Sequence, residues 1–146
     1  MPKRHRAIRT MRQFQVKSDS DGRTTRFRPR LVALGNYQTS GVDYHETFSP
    51  VTRMASFRLL LGLAAKLSLK VYASDFSTAY LNAYLKIKQY VSSVPGFTCK
   101  PECVWMVDKA LYGLHQSGRK WNEELDKFLQ KTGYMATQTE SYLYWK

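Results

Sequence analysis

A single domain mixing helices and strands is the fold class this sequence predicts, and three observations predict it. The chain has 146 residues, one domain's worth, and 43% of them are apolar, enough for a packed core without disulfides or metals. Its front part alternates apolar and polar residues on either side of a turn signal, the pattern of a hairpin. Two later segments instead repeat their apolar residues at helical spacing.

The elements follow in order. Phe14 and Val16 alternate with Gln13, Gln15 and Lys17, residues 19–22 supply turn chemistry, and residues 24–33 run extended, which predicts a hairpin edged with Lys17, Arg23, Arg26, Arg28 and Arg30. After a turn-rich stretch containing Gly35, Asn36, Gly41 and Pro50, Ser56 is placed to cap a helix. Its leucines at 59, 60, 63 and 67 predict a largely buried face. Residues 69–76 read as a strand with Leu69, Val71, Ala73 and Asp75 on one face, so that a carboxylate ends an otherwise apolar strand face. Residues 77–81 form a tight turn or short helix, 90–94 and 104–107 short strands, and 111–118 a loop. Ser117 is then placed to cap a second helix, with Trp121, Leu125, Phe128 and Leu129 on its apolar stripe, Glu123, Glu124 and Lys127 on its wet side, and Gly133 at its end. A last strand covers residues 142–145, with no internal repeat anywhere in the chain.

Charge narrows the class of function. Lysine and arginine number 23 against 11 acids, a net charge of +12 and a pI near 9.9, which excludes an acidic disordered tail and disfavours a neutral-surface metabolic enzyme. Residues 1–35 hold ten Lys/Arg and two Asp, a net +8 that leaves +4 for the other 111 residues. That asymmetry points to a polyanion partner. Residues 1–12 are either part of that surface or a solvated lead that binds nothing specific. The longest apolar run, residues 59–65, is only seven residues long and closes at Lys66, so no membrane span is expected. No apolar stretch stands behind the basic N-terminus, so a secretory signal is not expected either. The expected location is intracellular, in a cytoplasmic particle or the nucleus. Cys99 and Cys103 lack a second Cys or His pair at zinc-finger spacing and read as reduced thiols.

Asp75, followed by Phe-Ser-Thr-Ala-Tyr, is the most chemically suggestive feature. A carboxylate at a strand end beside a tight turn can hold a metal while the next amides face a phosphate; it can equally cap the turn. Its company bears on the choice. The segments Arg26-Phe-Arg-Pro-Arg-Leu-Val-Ala-Leu-Gly35 (after Asp21-Gly22), Gly41-Val-Asp-Tyr-His-Glu-Thr-Phe-Ser-Pro-Val51, Ser74-Asp-Phe-Ser-Thr-Ala-Tyr-Leu-Asn82 and Leu111-Tyr-Gly-Leu-His-Gln-Ser-Gly-Arg-Lys-Trp121 occur in that order. Together they resemble the reverse transcriptase of copia-type (Ty1/copia) retrotransposons, over about residues 12–146.

The resemblance implies an α+β fold: a basic lead at 1–11, the fingers at about 12–55 and part of the palm at about 56–146, with the helices backing the palm sheet and the domain incomplete at its C-terminus. It implies that Asp75 is the first metal-binding carboxylate for Mg²⁺, helped by the Phe76 carbonyl. The backbone of Ser77, Thr78 and Ala79 would approach a triphosphate, and Tyr80 would lie beneath the incoming sugar. Lys17 with Arg28 or Arg30 would neutralise the triphosphate, unless those arginines contact only nucleic-acid phosphates. Tyr112 and Gly113 would support nucleotide and template. The implied partners are an RNA template, a DNA primer and a dNTP.

Departures from the family are equally informative. The family continues to a Tyr-Val-Asp-Asp hairpin, and no Asp-Asp pair occurs in these 146 residues. Two-metal phosphoryl transfer needs several carboxylates, so Mg²⁺ binding is expected to be weak or absent and the chain to be an inactive fragment. The usual Lys-Ala-Pro of the last segment is replaced around Gln116 by His115, Ser117 and Gly118. The usual acidic pair after the first palm motif is Ile87 and Lys88, and Pro29 stands where the family has Ala. A nucleic-acid-binding remnant and a poorly folded pseudogene product are the competing readings. In the latter, the final strand would have no neighbour.

Overall fold

The computed structural model describes residues 5–98, 100 and 102–146, so that Cys99 lies outside the described residues. Strands β1 (Thr10–Ser18) and β2 (Thr24–Ala33) form the expected antiparallel hairpin. The turn closes through Gly22, whose φ of 78° suits a residue without Cβ, and through Asp19, whose Oδ1 accepts the N–H groups of Asp21 and Arg23 at 3.0 and 2.8 Å. The register sets Gln13 opposite Arg30, Gln15 opposite Arg28 and Lys17 opposite Arg26. Opposed residues share a face, so one face is basic (Lys17, Arg26, Arg28, Arg30) and the other apolar (Phe14, Val16, Phe27, Pro29, Leu31). Phe14 and Phe27 remain 71% and 73% exposed.

The segment before the hairpin is packed, which corrects the solvated-lead alternative for residues 5–9. Ile8 is fully buried; its N–H donates to the Tyr90 carbonyl at 2.7 Å and its carbonyl accepts the Ser92 N–H at 3.0 Å. These bonds make a parallel bridge to Val91 in strand β3 (Tyr84–Val91), which pairs antiparallel with β4 (Trp105–Lys109). The strand expected at 90–94 is therefore only the end of a longer one. A register irregularity between Tyr84 and Gln89, in the lysine-rich stretch, hides its start from a period-two reading.

Ile8, Ala33, Ala83, Leu85, Val91, Ala110 and Leu114 form the buried core, where the N-terminal segment, the end of β2, β3 and the loop before the second long helix meet. That helix, α2 (Ser117–Lys131), carries the expected stripe, and Gly133 follows it at φ 90°. Trp121 packs half-buried against the core, while Phe128 stays exposed. Ser117 does not cap α2: Gln116 is the N-cap residue, and the Ser117 hydroxyl donates to the Leu111 carbonyl at 2.5 Å.

Two further expectations are overturned. Helix α1 (Met54–Lys66) starts two residues before Ser56, has Arg53 as its uncapped N-cap, and contains no buried residue. Leu59 and Leu67 are 64% and 61% exposed, because leucine periodicity specifies an apolar face and burial needs a partner for it. Residues 69–76 form no strand and are exposed, since nothing among the described residues pairs with them and a lone extended segment leaves its backbone groups unsatisfied except by water. The described residues thus hold three separate two-stranded sheets instead of one palm sheet backed by both helices. The last strand does have a neighbour: β5 (Met135–Ala136) pairs with β6 (Tyr144–Trp145). No helix among the described residues is long and apolar enough to cross a membrane.

The hairpin base and the loop before α2 are joined backbone to backbone. The Ala33 N–H donates to the Tyr112 carbonyl at 2.8 Å, and Val32 and Tyr112 form a parallel bridge. Gly113, at φ 91°, permits this, because a Cβ there would fall on the Ala33 carbonyl oxygen, and one on Gly35 would fall on the Gly113 carbonyl. Gly113→Ala should therefore destabilise the chain by about 3 kcal/mol, combining left-handed strain with a backbone clash, and lower the urea midpoint accordingly. An unchanged midpoint would mean that the two backbones do not touch.

Candidate nucleotide and nucleic-acid site

The hairpin's basic face leads to the loop before α2. Arg30, at the base of that face, sets its guanidinium 5.4 Å from the centre of the Tyr112 ring, and the Tyr112 ring packs against Tyr80 with centres 4.7 Å apart and planes tilted by 39°. Three residues singled out from separate segments, Arg30, Tyr112 and Tyr80, thus form one continuous stack, with Gly113 beside them in the backbone contact. Arg28 shares Arg30's face one pleat further out. Lys17, opposite Arg26, lies about 13 Å from Arg30 toward the tip at strand spacing. Lys17, Arg26, Arg28 and Arg30 have no acidic partner within ion-pair distance among the described residues.

The Asp75 segment is arranged differently. Asp75 is exposed on irregular backbone, so the strand-end carboxylate expected from the sequence is absent as such. The turn that follows it does form. Thr78 adopts φ 52°, Ser77 and Thr78 carbonyls accept Asn82 Nδ2 at 3.3 and 3.5 Å, and a 3-10 segment covers Ala79–Asn82. Phe76 sits edge-on to Trp121 with ring centres 5.1 Å apart, which ties this turn to α2, while Tyr80 joins the stack. Among the described residues no group of three or more His, Cys, Asp or Glu is placed to hold a metal ion.

Beneath the loop lies a buried polar junction that sequence reasoning missed. Gln38 accepts the His115 N–H at 2.9 Å through Oε1 and donates through Nε2 to Gln89 Oε1 at 2.9 Å and Gln116 Oε1 at 3.0 Å. Gln89 in turn donates to the Asp43 carbonyl at 2.8 Å. The Asp43 carboxylate, 2% exposed, accepts the Thr39 N–H at 2.7 Å and His5 Nδ1 at 2.9 Å. The available signal was Asp43's position inside the unbroken 41–51 motif; the three glutamines carry no periodicity of their own. Beside the junction a cavity of about 430 Å³ is lined by Tyr44, Glu46, Lys86, Gln116, Arg119 and Glu123, among others. Arg119 bridges Glu46 and Glu123, and Lys120 holds Glu123 at 2.7 Å.

The reverse transcriptase (RNA-dependent DNA polymerase) family model matches residues 1–146. The chain belongs to the reverse transcriptase family. Similar curated proteins are the retrovirus-related Pol polyprotein from transposon TNT 1-94 of Nicotiana tabacum, 36% identical over the whole chain and 11% of its own length, and those from transposons RE1 and RE2 of Arabidopsis thaliana. RE1 and RE2 are 40% and 39% identical over 90% of the chain and 9% of their own lengths. This reverse transcriptase segment therefore spans about a tenth of the length of the curated relatives it matches, and they bear out the copia-type resemblance. No solved structure matches it.

Glu123 is the acid whose environment most directly holds the cavity wall together. Burial alone would raise its carboxyl, but hydrogen bonds from Lys120 and Arg119 and the charges of Lys120 and Lys86 outweigh burial and hold it below its ordinary value of 4.5. A carboxylate depressed in the folded state contributes stability that is present above its ordinary pKa and lost as pH falls through the lower, native one. Urea midpoints of the native chain and Glu123→Gln should differ most at neutral pH and converge below about 4.5. A difference that persists unchanged into acid would show that Glu123 acts through packing alone.

Proposed function

We propose that the chain forms the fingers (about residues 12–55, behind a lead of 1–11) and the first part of the palm (about 56–146) of a copia-type reverse transcriptase. It binds template and primer through its hairpin, inside the cell, and does not polymerise by itself. The observation that carries this reading is the row of Lys17, Arg26, Arg28 and Arg30, without acidic partners among the described residues, ending on the stack of Arg30, Tyr112 and Tyr80. Such a row neutralises successive phosphates, and a guanidinium fixed over an aromatic ring at its end meets a polyphosphate with little further ordering. Of the two arginines that the sequence leaves open, this favours Arg30 as the triphosphate contact and Arg28 as a backbone contact.

In this reading Tyr80 lies beneath the sugar, the amides of residues 77–79 approach the triphosphate, and Tyr112 and Gly113 support nucleotide and template. Asp75 with the Phe76 carbonyl is the first of the carboxylate positions that would serve Mg²⁺. The described residues do not fit a pair of metal ions unaided: Asp75 stands alone, and two ions need several carboxylates to hold them. The chain's own contribution is accordingly binding and orientation.

The binding half is tested by salt dependence. With about four phosphates neutralised, log K for duplex should fall against log salt with a slope of roughly −4, and Arg26→Ala with Arg28→Ala should flatten it by about 2. A slope near zero for the intact chain would sink the reading. The chemical half is tested by offering the chain an annealed primer with Mg²⁺ and all four dNTPs. No extension is expected, whereas extension lost on Asp75→Asn would show that the chain is a polymerase as it stands.

A further inference from the structure

The ribbon of β3 and β4 carries a second cluster of cations, gathered about an aromatic ring, that neither the hairpin nor the Asp75 turn uses. Tyr84 opens β3 with its side 64% exposed, and the Lys109 ammonium sits 5.2 Å from the centre of its ring. Lys86 and Lys88 follow on the same strand, both exposed. Lys88 faces Asp108 across the ribbon at 3.6 Å, a long ion pair whose partners are both more than half in water, and such pairs exchange readily for another anion. Lys86 also acts on Glu123, which is already held by Lys120 and Arg119. Three lysines thus gather about one exposed ring, that of Tyr84.

Lysines alone would suit any polyanion, but an exposed ring among them suits a strand whose bases are free to stack. Bases in a duplex already stack on one another, while those of a single strand gain a platform. We propose that the β3–β4 ribbon is a contact surface for single-stranded nucleic acid, separate from the hairpin face, with Lys86, Lys88 and Lys109 on phosphates and Tyr84 beneath a base. This proposal rests on the reading of the chain as a nucleic-acid binder and adds a second surface to it.

The test titrates labelled oligo-dT and a duplex of equal length across a salt series. It compares the full chain, the triple variant Lys86→Ala, Lys88→Ala, Lys109→Ala, the single variant Tyr84→Ala, and the hairpin variant Arg26→Ala, Arg28→Ala. With three phosphates at the ribbon, the triple variant should lose about 2 from the single-strand slope. Tyr84→Ala should weaken oligo-dT binding about tenfold, with its slope and duplex binding unchanged. Unchanged oligo-dT binding by both ribbon variants, with the circular dichroism of the parent chain, overturns the proposal. If the hairpin variant alone then loses binding, the broader reading survives without the ribbon; if the parent chain binds neither probe, both fail. Should a ribbon variant misfold, photo-crosslinking of a 4-thiothymidine oligomer to the unaltered chain decides. Adducts within residues 84–109 support the ribbon, and adducts confined to the hairpin, or none at all, refute it.

Discussion

Where two stretches of backbone approach so closely that a Cβ would overlap a carbonyl oxygen, only glycine fits, and this chain meets that condition with Gly35 and Gly113. The rest of the arrangement depends on that contact. It brings the Tyr112 carbonyl to the Ala33 N–H, sets Arg30 over the Tyr112 ring, and leaves Tyr112 facing Tyr80. A hairpin with few other contacts is thereby held in a definite relation to the loop and helix behind it. Moving either glycine's backbone would move the cationic row and the aromatic stack relative to each other.

Below that contact the glutamine junction has a different physical task. Gln38, Gln89, Gln116 and Asp43 come from three separate stretches of chain, and each is close to saturated by the others and by neighbouring backbone. A buried amide that loses its partner costs more than a typical hydrogen bond contributes, so such a network penalises every arrangement but one. The apolar core, seven of the described residues, is small for a chain of this length, and it supplies burial without much direction. The polar junction supplies the direction.

How much of this was legible in the residues varied with the kind of signal. The hairpin and α2 were legible because local chemistry decides them: Asp19 to Gly22 can hardly do anything but turn, and Trp121, Leu125 and Leu129 share a face at any helical register. The stacking of Arg30, Tyr112 and Tyr80 was partly legible, since family resemblance marked all three residues but not their contact. Where a feature depended on a distant partner, reading failed. Among the described residues, Leu59 and Leu63 promise a buried helix and find nothing to lie against, and residues 69–76 promise a strand and find nothing to pair with. Ile8 and His5, inside a run of arginines, left the choice between bound surface and solvated lead open because their partners, Tyr90, Val91 and Asp43, lie far along the sequence.

The exposed leucines of α1 leave a thermodynamic imprint as well as a structural one. Unfolding raises the heat capacity because it wets apolar surface, ordinarily by about 12–15 cal/mol/K per residue. In this chain part of that surface is wet before unfolding begins, so the increment per residue falls short of the ordinary value, and the denaturant slope, which follows newly exposed area, falls with it. A smaller heat-capacity change flattens the curve of stability against temperature. By this argument the chain's stability varies less between cold and warm than that of a fully packed domain of equal length, and the cause lies in the native state's surface.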